Sequence, residues 1–270
     1  MEKVNFNFLV TSEQSFDPVS YQKMKVDAIN STSGDLTGYN CPQCLNRGYV
    51  AVAREDGTLF MRDCDCMKIR RCVWKMEASG LKNIIKEKTF DTYRDTEKWQ
   101  SAIKKGAIAY AERPDGWLLL SGQSGSGKTH IATAVCRHRL LAGDEVRYMP
   151  WRDDIARIKA MSLDSENRQK ILDELKTAQV LYIDDLFKTG RAADGSSAPT
   201  GADVNLAFEL LNYRCNNHLT TIISTEKTPE ELLQIDEAVG GRILEFAEKH
   251  TYIIQRDIRK NYRLRGVVAV

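Results

Sequence analysis

Apolar positions along the chain follow two rhythms. Short apolar runs bounded by turn-forming or charged residues read as strands at 117–120, 145–149, 178–184, 220–223 and 251–255. Between them apolar residues recur every three or four positions, the period of helices with one buried face. Strand and helix alternate, which predicts an α/β fold with a parallel sheet flanked by helices. An earlier stretch breaks the rhythm: "LNRGYVAVAREDGTLFMRD" reads as two strands around an Asp-Gly turn. "GLKNIIKEK", at 80–88, reads as a helical connector. The pattern therefore divides the chain into an N-terminal unit over 1–80, a connector over 81–88 and an α/β domain over 89–270. "KTGRAADGSSAPTGA", at 188–202, is rich in Gly, Ala and Ser and is expected to form a mobile loop beside a ligand edge.

Composition sharpens this picture only locally. With 270 residues, 42% of them hydrophobic, the chain can bury a sizeable core. Thirty-nine Lys and Arg against 37 acids leave no global charge excess, so any basic surface is local. The segment 249–265 is one such place, because Asp257 is its sole acid. "MEKVNFNFLV" lacks the apolar core of a cleavable leader, and no apolar run approaches the roughly 20 residues of a membrane span. A cytoplasmic protein without membrane contact is expected.

Seven cysteines then require a reading that suits a reducing compartment. Cys41, Cys44, Cys64, Cys66 and Cys72 crowd around the hairpin, whereas Cys136 and Cys215 lie in apolar or helical contexts. "CPQC" and "CDC" at the two ends of a hairpin can offer four sulfurs at tetrahedral geometry, the plan of a closed, structural zinc ribbon over about 39–73. Cys41, Cys44, Cys64 and Cys66 are the expected ligands, with Cys72 as a substitute. Reduced or redox-active thiols are the alternative.

"GWLLLSGQSGSGKTHIATAVC" carries the G-x-x-x-x-G-K-T spacing between an apolar strand and a helix, the context of a phosphate-binding loop. Gly122, Gly125 and Gly127 let backbone N–H groups converge on phosphates, with Gln123, Ser124, Ser126 and His130 completing the stretch. Lys128 would reach the β and γ oxygens of ATP, and the Thr129 hydroxyl would ligate Mg2+. "VLYIDDLF" is an apolar strand ending in two acids. Asp184 would hold magnesium, and Asp185 would polarise an attacking water, which favours hydrolysis over transfer to a small substrate. A pair of helix-capping acids is the alternative.

Several segments together resemble the AAA+ helicase loaders of bacteria and phages, the DnaC and DnaI type, with the IstB transposition ATPases as relatives. They are "CPQC" with "CDC", "KTFDTY", "GQSGSGKTHIATAV", "VRYMPWRDDI", "VLYIDDLF", "LLNYR", "TIISTEKTPEELLQIDEAVGGRI" and "KNYRL", spanning roughly 41–265. The resemblance implies an AAA+ sheet with a reduced or absent lid. It further implies ATP hydrolysis, assembly as a ring or spiral, and delivery of a replicative hexameric helicase to single-stranded DNA. At the family's usual Ser-Asn after the fourth strand this chain has "STE", so a carboxylate, Glu226, stands where an amide senses the γ-phosphate. Either Thr225 or Ser224 is then expected to take that contact, or Glu226 to turn away, and the assignment stays open. The resemblance also implies that Arg242, after two glycines in "EAVGGRILEFA", reaches a neighbouring subunit's ATP site, the glycines allowing close approach. A local ion pair with Asp236, Glu237 or Glu245 is the alternative. Arg214 is a second candidate for the same role. In "MPWRDDIARIKAMS" the resemblance implies a DNA path, with Trp151 stacking on a base and Arg152, Arg157 and Lys159 meeting phosphates. An ordinary amphipathic helix with a buried Trp is the competing reading. A transposition helper, a small-molecule kinase and a nucleotide switch with little turnover remain the alternative functions.

Overall fold

The apolar runs fold as seven strands: β1 Tyr49–Ala53, β2 Leu59–Asp63, β3 Leu118–Gly122, β4 Val146–Pro150, β5 Val180–Asp184, β6 Thr220–Thr225 and β7 Thr251–Ile254. The helices are α1 Pro18–Asn30, α2 Cys66–Met76, α3 Ile84–Glu87, α4 Lys98–Glu112, α5 Lys128–Leu141, α6 Trp151–Ala160, α7 Ser165–Thr177, α8 Gly201–Asn216, α9 Pro229–Ile235 and α10 Glu237–Phe246. The computed structural model describes residues 18–37, 39–54, 58–76, 84–161, 163–189 and 198–264. The chain divides into two units, Met1–Met67 and Lys68–Val270. Most of the loop expected over 188–202 lies outside the described residues, as does the beginning of the expected connector, of which α3 is described.

In the first unit β1 and β2 pair antiparallel, with Val50 opposite Arg62 and Val52 opposite Phe60. Asn30, at the end of α1, continues the pairing with its side chain: Oδ1 accepts from Ala51 N–H at 2.9 Å and Nδ2 donates to Ala51 O at 3.0 Å. An amide presents one donor and one acceptor, so it can stand in for a strand residue at the open edge.

The second unit is built on a five-stranded parallel sheet in the order β4-β5-β6-β3-β7. Its middle strands are buried over nearly their whole length, which is why they read as unbroken apolar runs rather than alternating ones. Helix starts follow local chemistry. Thr228 and Glu231 form a reciprocal capping box with Pro229 just inside α9, and Thr200 with Asp203 does the same for α8. Arg214, expected as a possible finger, is fully buried. Its guanidinium donates to the carbonyls of Leu175, Lys176, Ala178 and Thr220 and to the Thr221 hydroxyl at 2.5–3.1 Å, stitching the end of α7 to the start of β6. Burial lowers its pKa to about 9, and the carbonyl dipoles carry the charge in place of a carboxylate.

Trp151 also departs from expectation as a base-stacking residue. It is buried, its ring edge-on to Phe187 at 5.4 Å within the main core. The amphipathic reading of α6 therefore holds at this position, because a ring sealed in the core has no face for a base. Lys159 is likewise committed: Nζ lies 2.5 Å from Asp203 and 3.0 Å from Thr200 Oγ1, pinning α6 to the N-terminus of α8. Arg152 and Arg157 are exposed. Among the described residues no helix is long and apolar enough to cross a membrane.

Candidate functional site

The parallel sheet brings β3 and β5 to the same edge, with β6 between them, and a cavity of about 520 Å³ opens there. Ser124, Gly125, Gly127, Lys128, Thr129 and His130 form one wall. Gly122, Gln123 and Ser126 close the loop from behind. Lys128 Nζ donates to Gly122 O at 2.8 Å and Gln123 O at 2.7 Å, and Ser126 Oγ to Gln123 O at 2.7 Å. Gly122 is obligatory here: its φ is 107°, and a Cβ would stand 2.1 Å from Ile254 O. Burial pulls the Lys128 pKa down, with Asp185 and Glu226 opposing it. An ammonium so enclosed is readily drawn to an entering anion.

The opposite wall carries the acids. Asp184 accepts four hydroxyl hydrogen bonds: from Ser224 Oγ and Tyr182 OH at 2.5 Å each, Tyr148 OH at 3.1 Å and Thr129 Oγ1 at 3.2 Å. Burial and the Asp184 carboxylate push both tyrosines above their usual range, which keeps them protonated as donors. Thr129 and Asp184 thus present two oxygens to one point, a donor set suited to a hard divalent cation such as magnesium. Asp185 follows with φ 57° and its N–H on Ser224 Oγ at 3.0 Å.

Thr225, expected to contact nucleotide, is buried and does not line the cavity: its hydroxyl donates to Leu186 O at 2.8 Å and accepts from Lys227 N–H at 3.1 Å. Ser224 is occupied between the two acids. Of the segment "STE", Glu226 is the residue that lines the cavity.

The chain after β7 packs on the phosphate loop. Tyr262 N–H donates to Gly125 O at 2.9 Å, Asp257 N–H to Gln123 Oε1 at 2.5 Å and Tyr262 OH to Arg94 O at 3.0 Å. This strap of two short 3-10 turns brings Arg263 to the cavity. Lys88 and Tyr93 complete the rim, with Tyr93 edge-on to His130 at 5.3 Å. None of these three residues was assigned a role from sequence. Their signal lies in "KTFDTY" and "KNYRL", segments that carry part of the resemblance but no recognisable spacing.

Arg242 lies apart from the cavity on α10. Its guanidinium stacks over the Phe208 ring at 4.8 Å and donates to Ala238 O at 3.0 Å. Among the described residues it makes no ion pair; Asp236 instead caps α10 by accepting from Val239 N–H at 2.8 Å. The two glycines before it differ. A Cβ on Gly240 would meet Leu232 C at 2.8 Å, so this glycine permits α10 to pack on α9, whereas Gly241 faces open space. Close packing inside the chain, rather than a neighbour's nucleotide, accounts for the first.

In the first unit the Sγ atoms of Cys41, Cys44, Cys64 and Cys66 all lie within 4.8 Å of one another, and all four residues are buried. Cys41 and Cys64 are 3.7 Å apart and Cys44 and Cys66 3.5 Å. Tetrahedral zinc with Zn–S bonds of about 2.3 Å separates its sulfurs by about 3.8 Å, so the donor set and its spacing both fit. Burial works to raise the Cys44 thiol, but the Gly48 N–H and neighbouring sulfurs prevail and bring it to about 6, whereas burial holds the Cys64 thiol above its usual value. The side chain of Cys72 lies outside the described residues.

A family model for IstB-like ATP binding proteins matches residues 57–266, which include the whole cavity. The chain belongs to the IstB-like ATP-binding family. Within and around it, the chain is 30% identical over 268 residues to the phage-like element PBSX protein XkdC of Bacillus subtilis strain 168, covering 95% of this chain and 98% of that protein. It is 24% identical over 205 residues to the replicative helicase loader DnaC of Escherichia coli K12, covering 73% and 78%. A crystal structure of the DnaC helicase loader superposes with a TM-score of 0.51 at 23% identity, covering 63% of this chain and 97% of that one. This IstB-like chain shares the fold of that loader, and its cavity lies within the stretch that the ATP-binding family model matches.

Proposed function

We propose that this protein hydrolyses ATP and, as an oligomer, loads a replicative hexameric helicase onto single-stranded DNA. The observation that carries this reading is the convergence of Lys128, Thr129, Asp184 and Asp185 on one cavity in a chain similar to a replicative helicase loader over most of its length. Lys128 and the loop N–H groups would hold the phosphates. Magnesium, held through Thr129 and Asp184, would neutralise phosphate charge. Asp185 would orient and polarise the attacking water. Arg242, unpaired with acids among the described residues and outside its own cavity, would serve a neighbour's site across a head-to-tail contact. Zinc on Cys41, Cys44, Cys64 and Cys66 would hold the N-terminal unit that grips the helicase, and Arg152 and Arg157 would meet DNA phosphates.

The test mixes the purified protein with its host's replicative helicase, ATP and a circular single strand. A stable complex with the hexamer, followed by helicase transfer to the circle that Lys128→Ala abolishes, is the expected result. The match to the IstB-like model over 57–266 favours a second reading, a helper ATPase for a transposase. Indifference to helicase together with ATP-dependent assembly on duplex DNA would favour that one.

A further inference from the structure

The turn after β5 gathers charge from two distant parts of the chain. Asp185 and Phe187 both adopt left-handed backbone, with φ of 57° and 61°, and Lys188 N–H donates to Asp185 O at 2.9 Å. Left-handed backbone at a bulky buried Phe is costly and persists only where surrounding structure enforces it. Its effect is to reverse the chain so that Lys188 returns to the cavity. There Nζ lies 2.7 Å from Asp185 Oδ2 and 3.0 Å from Glu226 Oε1. Glu226 arrives from the end of β6 and faces the cavity together with Ser124 of the glycine-rich loop. Lys188 is 38% exposed, so its ammonium is held without being sealed.

Electrostatics make this arrangement consequential. Asp184, Asp185 and Glu226 all border a cavity suited to a polyphosphate, and a bare Glu226 would oppose that ligand. Burial favours the neutral acid, but Lys188 and Ser124 hold Glu226 below its usual range; both carboxylates in turn keep Lys188 charged against burial. The pair therefore enters the cavity as a positioned cation on an anionic stem.

We propose that Glu226 is a positioning residue that presents Lys188 to the terminal phosphate of a nucleoside triphosphate, so that the pair distinguishes triphosphate from diphosphate. The proposal rests on the nucleotide reading of the cavity. Asp185 and the terminal phosphate compete for the same ammonium. Triphosphate binding thus draws Lys188 off Asp185 and releases that carboxylate, coupling recognition of the γ-phosphate to availability of the acid.

Calorimetric titration of the full-length protein with Mg2+ and either ADP or a non-hydrolysable β,γ-methylene ATP tests this by affinity, without turnover. Lys188→Met should weaken the triphosphate analogue by about tenfold relative to ADP, the loss expected for one charge-assisted hydrogen bond. Lys188→Arg should keep most of the discrimination, and Glu226→Gln should lose part of it. Retained ADP binding shows each variant folded, and Lys188→Gln replaces Lys188→Met if the latter does not fold. An unchanged triphosphate-to-diphosphate ratio in Lys188→Met overturns the proposal, as does tighter triphosphate binding in Glu226→Gln, which would mark Glu226 as merely repulsive. A wild-type protein that binds neither nucleotide removes the nucleotide reading and this proposal together.

Discussion

The two units of this chain close their interiors by different means. Around the hairpin the buried cluster among the described residues is Cys41, Cys44, Val50, Cys64 and Cys66, with Tyr39 and Val52 packed against it. Most of it is thiol, which contributes little apolar area. In the α/β unit the core runs from Trp117 and Leu119 through Trp151, Ile183 and Leu210 to Ile243, large side chains that each contribute roughly 1.5–3 kcal/mol on burial. The first unit gathers a buried thiol cluster on a hairpin; the second is a hydrophobic core that places the candidate site at one edge. Stability in the first should therefore follow metal, and in the second packing.

Chelation should break this contrast most visibly. Structural zinc contributes about 10–16 kcal/mol in isolated finger peptides, far more than this small core can replace. Chelator, or Cys44→Ser, is expected to erase the hairpin's NMR dispersion while ADP binding by the α/β unit survives. A hairpin that stays ordered without metal would dissolve the distinction. Next in size is Arg214→Met, which takes the donor from four backbone carbonyls of the second unit and should lower the unfolding free energy, read by denaturant titration, by about 3–5 kcal/mol. Reduced turnover at unchanged stability would instead return Arg214 to the role of a finger.

Packing also separates the two glycines of α10. Gly240→Ala should cost about 1–3 kcal/mol because its Cβ meets the Leu232 backbone, whereas Gly241→Ala should be neutral or gain about 0.5–1 kcal/mol from helix propensity. Equal effects at both positions would mean that α9 can shift, and a loss of turnover confined to Gly241→Ala would point to a neighbour approaching there. The smallest stability change is expected for Arg152→Ala with Arg157→Ala, within about 0.5 kcal/mol for exposed positions. That pair should nevertheless weaken single-stranded DNA binding and flatten its salt dependence; undiminished affinity would move the DNA path off α6.

Much of this was legible in the residues alone. The five strands, the phosphate loop, the paired acids and the four-cysteine set all depend on local spacing, and local spacing is what a linear chain records. A G-x-x-x-x-G-K-T loop needs its glycines wherever it folds, and two thiol pairs on a hairpin converge through covalent geometry and a turn. Trp151, Thr225, Lys159 and Arg214 were not legible in this way. Each has a side chain equally suited to a ligand or to the interior, and only contacts with Phe187, Leu186, Asp203 and the carbonyls around α7 decided between them. Lys188 and Glu226 mark the limit most clearly. They lie 38 positions apart, on segments that meet because β5 and β6 are neighbours in the sheet. Their pairing is a property of topology: in sequence they are a lysine in a loop and an acid after a strand, and the fold alone turns them into one charged group facing the cavity.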